Sequence, residues 1–399
     1  MTSDNKAAAE DYRRQRQEAE AKKNGIDPVD PALHEQWVAN NRALLEQAAR
    51  AGGASEAEIP EYIDYYLNAL KDIPSGSPYD DPHALHIINR IVNEVERICR
   101  KHNLPVGDGV VFGVTPTFEL HASQMPVLET EASILGLSIP FFVFCNAITK
   151  AMAKTLTYIP VGASLQIDNS VASAEQKLRL NPDVVELWVE IFSEFGANRF
   201  PPALSPIISR WQDEAIARKQ MMDAVELFAI AHEYGHHSLN HGRVTDSSAS
   251  STAFSDEHDA DVFGRVICIL HNAELPVTNP YLLSGTGAVL ILGAMDLVRK
   301  ANALLETGQD IAKPRKRHPP YIERIKHISA ADNIATTNQI ELQELRVRRN
   351  AFVDIWELIW SHVRPKIEQM HKDGIRPKDN KADFGGWLPL SLDESGASG

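Results

Sequence analysis

The chain has 399 residues, of which 43% are hydrophobic and 24% are charged, and these proportions are ordinary for a globular protein with one large core or two smaller ones. The formal net charge of −14 argues against broad attraction to nucleic acid or to anionic lipid surfaces. The three cysteines lie far apart and form no Cys-x-x-Cys pair, which argues against a disulfide framework and against a cysteine-based zinc site.

The first part of the chain, residues 1–78, predicts a helical N-terminal extension. Residues 1–24 mix both charge signs and predict either a solvated helix or a disordered arm, of which the frayed arm is the favoured interpretation. Helical patterns follow over Pro31–Ala51 and Pro60–Leu70, and Pro74-Ser-Gly-Ser-Pro78 predicts a linker. The opening residues lack the apolar core of a secretory signal, and together with the few cysteines this leads us to expect a cytoplasmic protein.

The middle of the chain, residues 79–335, predicts an α+β domain. Apolar residues recur every three or four positions over residues 85–99 and predict an amphipathic helix that begins at Asp81-Pro82. Three strands are predicted after it, at Val110–Leu120, Ser133–Phe144 and Tyr158–Ile167. A helix is predicted between the second and third strands, at Ile148–Leu156.

Three later stretches carry no chemical motif. Residues 173–220 read as helices and loops, an insertion that could shape a substrate cleft. Tyr281–Val298 is near the lower length limit for a membrane span, but its glycines and Asp296 favour a buried helix, so we expect no stable membrane span. The C-terminal part, residues 336–399, predicts a long helix at Glu341–Gln369 and then a disordered tail.

The pattern that carries chemistry is His-Glu-x-x-His, formed by His232, Glu233 and His236 within an apolar, proline-free stretch. Residues four apart lie on one face of a helix, so both histidines can point at a common atom. Two imidazoles and a carboxylate in an apolar helix are costly unless a partner satisfies them. A zinc ion does so, because imidazole nitrogens bind it and the glutamate can hydrogen-bond its water.

A catalytic zinc ion needs a third protein ligand and an open fourth position. The metzincin pattern would require glycine at position 239 and histidine at position 242, and the chain has Leu239 and Gly242 there. A following helical stretch carries Glu257 and Asp261, again four residues apart. Glu257 can complete the zinc site, and Asp261 can accept the free ring N–H of a ligand histidine, most plausibly His232.

A third segment, His318-Pro-Pro-Tyr-Ile-Glu-Arg-Ile325, follows these two motifs in the chain. The three together resemble the M48-type zinc metallopeptidases of the gluzincin clan, in which the second motif is typically Glu-x-x-Ala-Asp. The likeness covers roughly residues 80–330. It implies a mainly helical, zincin-like metallopeptidase domain with a small β-sheet beside the His-Glu-x-x-His helix and helical extensions at both ends.

The resemblance also implies roles for individual side chains. Glu233 would be the general base and acid, and His318, or less plausibly Tyr321, would stabilise the oxyanion. Arg324 could hold the His-Pro loop by pairing with a carboxylate near the site. The residues that it implies as zinc ligands are His232, His236 and Glu257.

The predicted function is a zinc-dependent endopeptidase that hydrolyses a protein or peptide substrate. Narrow-specificity peptidases of the toxin-like, phage-exclusion or repressor-cleaving classes share the first motif and remain alternatives. A catalytically silent binding or sensing module is a further alternative, although a structural zinc site has no use for Glu233. A zinc-free helical scaffold is the last. The sequence leaves the substrate and the oligomeric state open.

Overall fold

The computed structural model describes residues 3–51, 54–68, 76–107, 109–127, 130–161, 164–200, 202–205, 212–242, 253–312 and 318–378. Its helices are α1 (Ser3–Asn24), α2 (Pro31–Asn40), α3 (Arg42–Ala51), α4 (Ile59–Asn68), α5 (Pro82–His102), α6 (Ile139–Thr155), α7 (Val171–Leu180), α8 (Pro182–Gly196), α9 (Gln212–Ser238), α10 (Ala253–Glu274), α11 (Pro280–Ser284), α12 (Thr286–Thr307), α13 (Tyr321–Ile328), α14 (Asp332–Ala335) and α15 (Gln339–Lys372). Its strands are β1 (Val110–Val114), β2 (Ala122–Pro126), β3 (Ser133–Leu137), β4 (Thr157–Val161) and β5 (Ser164–Asp168). The predicted α+β class, mainly helical with a small sheet, is confirmed.

The three-stranded sheet has the order β1-β3-β2, with β1 parallel and β2 antiparallel to the central strand β3. In the described part of the chain β2 is therefore an edge strand. The sequence did not predict β2, because its segment Ala-Ser-Gln-Met-Pro carries few of the residues that favour strands. The third predicted strand is instead a separate hairpin formed by β4 and β5.

The second predicted strand is too long, because the apolar run after residue 133 contains a helix start. Ser138 is the N-cap of α6, and its hydroxyl accepts a hydrogen bond from the backbone N–H of Phe141. Pro140 lies in the first turn, where a missing N–H costs nothing. The chain therefore leaves the sheet at Leu137 and continues as a helix.

The expectation of a frayed N-terminal arm is wrong, because α1 is a helix that is docked on the sheet. Arg13 is buried and donates to both carboxylate oxygens of Asp80 at 3.0 Å. Gln17 donates to the same carboxylate at 2.8 Å, and Asp80 also accepts the backbone N–H of Val114 at 3.0 Å. This anchor joins residues 67 positions apart, so local charge composition cannot reveal it.

The remaining N-terminal helices pack on one another. The single helix predicted over Pro31–Ala51 is divided into α2 and α3. With α4 these helices enclose a small core of Val38, Leu45, Ala49, Ile59 and Ile63. The first two residues of the linker predicted at 74–78 lie outside the described residues, and the domain boundaries at 78 and 335 stay predictions.

The main core surrounds α9, which packs against α5, α6, α10, α12 and the strand β2. Cys99 and Cys268 are buried free thiols, as predicted. The predicted insertion contributes to this core, since Trp188 on α8 is fully buried and its ring lies 5.2 Å from that of Trp356 on α15. The long C-terminal helix thus packs with α8 and α12.

The apolar stretch at 281–298 forms most of α11 and α12 and is buried within the molecule. No described helix has both the length and the apolar character that a membrane crossing requires. The loop predicted between α9 and α10, the basic run before His318 and most of the predicted tail lie outside the described residues, at 243–252, 313–317 and 379–399.

Candidate metal centre

Two glycines set how closely α9 and α10 cross. A Cβ atom on Gly264 would lie 3.2 Å from the carbonyl oxygen of Phe228 and 3.3 Å from the backbone nitrogen of His232. A Cβ atom on Gly235 would lie 3.1 Å from the ring of Phe263. Because neither position carries a side chain, the backbones of the two helices approach one another directly. This close crossing carries the Glu257 turn of α10 to the histidines of α9.

His232, His236 and Glu257 form a buried cluster that could hold a metal ion. The Nε2 atoms of the two histidines are 3.2 Å apart. Glu257 places Oε1 at 3.4 Å from Nε2 of His236 and Oε2 at 3.7 Å from Nε2 of His232. The three side chains predicted as ligands are therefore brought together by the fold.

The donor set and its spacing fit a divalent metal ion such as zinc. Two ligand atoms at about 2.0–2.1 Å from one zinc ion and at a tetrahedral angle lie roughly 3.4 Å apart, close to the separations found here. Two facing imidazole nitrogens can share only one proton, and both belong to buried side chains. An ion would accept both lone pairs at once and would balance the charge of Glu257.

The second ring nitrogen of His232 faces Asp261, the residue that the sequence suggests as its acceptor. Nδ1 lies 3.0 Å from Oδ1 of Asp261, and a proton held on Nδ1 by this contact would make Nε2 the ring nitrogen whose lone pair binds a metal. Arg324 on α13 donates to both oxygens of the same carboxylate, at 2.6 and 2.7 Å. Burial opposes ionisation of Asp261, but the charge and hydrogen bonds of Arg324 hold its pKa below the usual range.

The second ring nitrogen of His236 faces His241, which sequence reasoning did not identify as a site residue. The two Nδ1 atoms are 2.9 Å apart, and Nε2 of His241 lies 3.9 Å from Oδ1 of Asp256. Asn240 has a left-handed backbone with φ 59°, which turns the chain back after α9 ends, and the N–H of His241 donates to the carbonyl of His236 at 2.8 Å. The signal in the sequence was a further histidine five residues after His236.

Glu233 lies near the three candidate ligands and is not one of the cluster. It is fully buried, and neither of its carboxylate oxygens has a hydrogen-bond partner in the described part of the chain. The backbone N–H of Gln124 on β2 faces this carboxylate without reaching hydrogen-bond geometry. Burial, followed by the nearby charge of Glu257, raises the pKa of Glu233 well above its usual range. Such a group is suited to exchange protons with a ligand at the centre.

The third motif reaches the centre through two of its three predicted residues. His318 places Nδ1 at 3.2 Å from Oε2 of Glu257, and Arg324 places Nη2 at 3.4 Å from the same oxygen. The hydroxyl of Tyr321 has other surroundings: burial, and then the negative charges of Glu357 and Asp296, raise its pKa. The geometry thus favours His318 over Tyr321 as a group that acts at the centre.

A buried chain of hydrogen bonds ties the end of α9 to the sheet. His237, next to the ligand His236, places Nδ1 at 2.8 Å from the hydroxyl of Ser133 on β3. Gln124 donates its side-chain amide to the same hydroxyl at 2.7 Å. The hydroxyl of Ser133 therefore joins β2, β3 and α9. This contact fixes the position of β2 relative to the centre.

Comparison with known proteins gives no further guide to the site: no family model, curated protein or solved structure matches this chain.

Proposed function

We propose that the protein is a zinc-dependent endopeptidase. The observation that carries the proposal is the position of Glu233, a buried carboxylate without a hydrogen-bond partner among the described residues, next to three side chains suited to hold one metal ion. A structural zinc site is closed by its protein ligands and needs no free carboxylate. The resemblance of the three motifs to M48-type peptidases supports the same assignment.

His232, His236 and Glu257 would hold the zinc ion, which supplies a Lewis acid and lowers the pKa of a coordinated water towards about 7. Asp261 would keep the proton of His232 on Nδ1, so that the lone pair of Nε2 is directed at the zinc ion. Glu233 would take a proton from the attacking water and later deliver it to the leaving amine. To accept a proton and then to donate it, the carboxylate of Glu233 must not itself bind the zinc ion.

His318 would donate to the carbonyl oxygen on which negative charge develops. Nδ1 of His318 lies at the edge of the centre, 3.2 Å from Oε2 of Glu257. Arg324 would hold α13, and with it the His-Pro turn, against α10 through Asp261. Tyr321 stays a less favoured candidate for the same role, because the charges around its hydroxyl belong to α12 and α15.

The edge strand β2 supports a peptide or protein as the substrate. One side of β2 pairs with β3, and no described strand pairs with its other side. The backbone N–H of Gln124 faces Glu233, so the backbone of this strand borders the proposed catalytic carboxylate. An extended peptide could pair with the free edge and place a peptide bond over the centre. The buried free thiols are compatible with the cytoplasmic location that we propose.

The test compares the wild type with Glu233→Gln in cleavage of a peptide library, each with zinc and with a chelator, and measures bound zinc by elemental analysis. We expect the variant to keep zinc and to lose cleavage. Glu226→Gln is a matched control, since it makes the same change at another buried position of α9, and it should keep both.

Zinc-loaded Glu233→Gln that cleaves at the wild-type rate would contradict the proposal. Zinc-loaded wild type that binds peptides from the library but cleaves none would favour the silent binding or sensing module. Absence of bound metal after exposure to zinc would favour the zinc-free scaffold.

A further inference from the structure

A second group of ligand-type side chains lies where α10, which carries Glu257 of the buried centre, packs against α13. His258 on α10 follows Glu257 directly, and α13 contributes Glu323 and His327, which are four residues apart on one face. One ligand atom from each of the three lies within 4.8 Å of the other two. We propose that this group is a second divalent-metal site, separate from the buried centre.

The contacts of His258 give the first argument for this site. Its ring is half-buried, and its Nε2 atom is shielded from solvent with no hydrogen-bond partner in the described part of the chain. A buried nitrogen without a partner is costly, and a metal ion held with the other two side chains would remove that cost. Among the described residues, Nε2 of His258 therefore lacks a partner that a bound metal ion could supply.

The second argument is the chemistry of the three donors. Two imidazoles and one carboxylate form a set that suits Zn²⁺, Ni²⁺ or Co²⁺ better than Ca²⁺ or Mg²⁺, which prefer oxygen ligands. The site repeats the donor set of the buried centre, but Glu323 and His327 are exposed. Because two of its three side chains are exposed to solvent, we expect weaker binding than at the buried centre.

Binding requires a small rearrangement that the exposed side chains permit. The rings of His258 and His327 are stacked, with centroids 3.4 Å apart and planes 15° from parallel. Donors on one tetrahedral zinc ion are roughly 3.4 Å apart, and their lone pairs must converge on it. His327 must therefore rotate out of the stack, while His258 serves as the fixed ligand.

A metal ion at this site would fasten α13 to α10. The two helices are already joined one residue away, because Glu257 precedes His258 and Arg324 follows Glu323. The second ion would therefore stabilise the helix that carries Arg324 and would slow the separation of α13 from the buried centre. This consequence depends on the arrangement of the two helices and does not require the protein to be a peptidase.

The test uses the full chain, stripped of metal and then titrated with Zn²⁺ in equilibrium dialysis, with thermal unfolding as a second readout. We expect two bound ions per wild-type chain, one tight and one weaker. His327→Ala and Glu323→Gln should each weaken only the second ion, by about tenfold or more, because loss of a ligand costs at least as much as loss of its supporting contact.

His362→Ala is the matched control, since it removes a partly exposed histidine from α15, and it should keep both ions. Binding of only one ion by the wild type at millimolar Zn²⁺, with the same affinity in a His327→Ala/Glu323→Gln double variant, would overturn the proposal. Unchanged binding of two ions by a His327→Ala/Glu323→Gln double variant would also overturn it. His258→Gln provides a third variant on the other helix, and circular dichroism verifies that each variant is folded.

Discussion

Arg324 and Asp261, 63 positions apart in the chain, form a fully buried bidentate ion pair, with donor–acceptor distances of 2.6 and 2.7 Å. This pair joins the third motif to the second, because Asp261 also orients His232 and Arg324 also reaches Glu257 at 3.4 Å. The same guanidinium therefore balances two carboxylates at the metal centre. Its removal would leave both of them without that compensation.

We expect Arg324→Ala to destabilise the protein by about 3–5 kcal/mol, because removing one partner of a buried ion pair leaves the other charge uncompensated. Urea unfolding measures the loss. Arg324→Lys keeps the charge but lacks the planar guanidinium that binds both oxygens of Asp261. It should therefore recover only part of the stability lost in Arg324→Ala. Equal stability of Arg324→Ala and wild type would show that the pair does not hold α13.

His241 is expected to act as a positioning residue for His236. Without the contact between their Nδ1 atoms, His236 has more orientations and a less defined tautomer. We expect His241→Ala to weaken zinc binding by about 10–100-fold, measured by competition with a chelator. His271→Ala is the control, since His271 pairs with Glu94 at the other end of α10, and it should bind zinc as the wild type does. If His241→Ala binds zinc with wild-type affinity, the contact between His241 and His236 does not position the candidate ligand.

Gly264→Ala should weaken zinc binding because it pushes α10 away from α9. The added Cβ would lie 3.2 Å from the backbone of α9, which is buried and cannot move aside, so α10 must shift. We expect faster transfer of zinc to a chelator together with lower stability. Gly196→Ala introduces a similar clash between α8 and α12, 3.0 Å from Cβ of Ala301, and should lower stability alone. Equal zinc release from both variants would contradict this role for Gly264.

Glu226 gives the protein a predictable dependence on pH. It is buried on α9, 3.7 Å from the guanidinium of Arg90, and burial raises its pKa from 4.5 to about 7. Between these values the unfolded chain has released the proton that the folded chain still binds. The free energy of unfolding contributed by this group therefore falls as pH rises through that window, and the loss is complete above about pH 7.

Glu226→Gln removes this dependence, because an amide does not ionise. We expect the variant to match the wild type near pH 4 and to be more stable at about pH 8, by on the order of 3 kcal/mol, since one pKa unit corresponds to about 1.4 kcal/mol. Urea unfolding at the two pH values measures the difference. Exposed Glu61→Gln should leave the profile unchanged. A constant difference between Glu226→Gln and wild type across the range would refute the assignment.

The ligand cluster could be predicted from the sequence because its geometry is mostly local. Helical spacing alone aligns His232 with His236 and Glu257 with Asp261, and their residue types suit a divalent metal. The amphipathic helix α5 and its Asp81 cap followed from the same periodic rules. These features depend on residues within one or two helical turns, so no knowledge of distant contacts is needed.

Tertiary structure decided what depends on partners far along the chain. The docking of α1 rests on Asp80, and the position of β2 rests on its pairing with β3, which no local pattern indicates. His241 acquires its contact only because the chain turns back at Asn240 after α9 ends. Short-range spacing thus determined which side chains could bind a metal. Packing across tens of residues determined which groups orient them and which surface borders the centre.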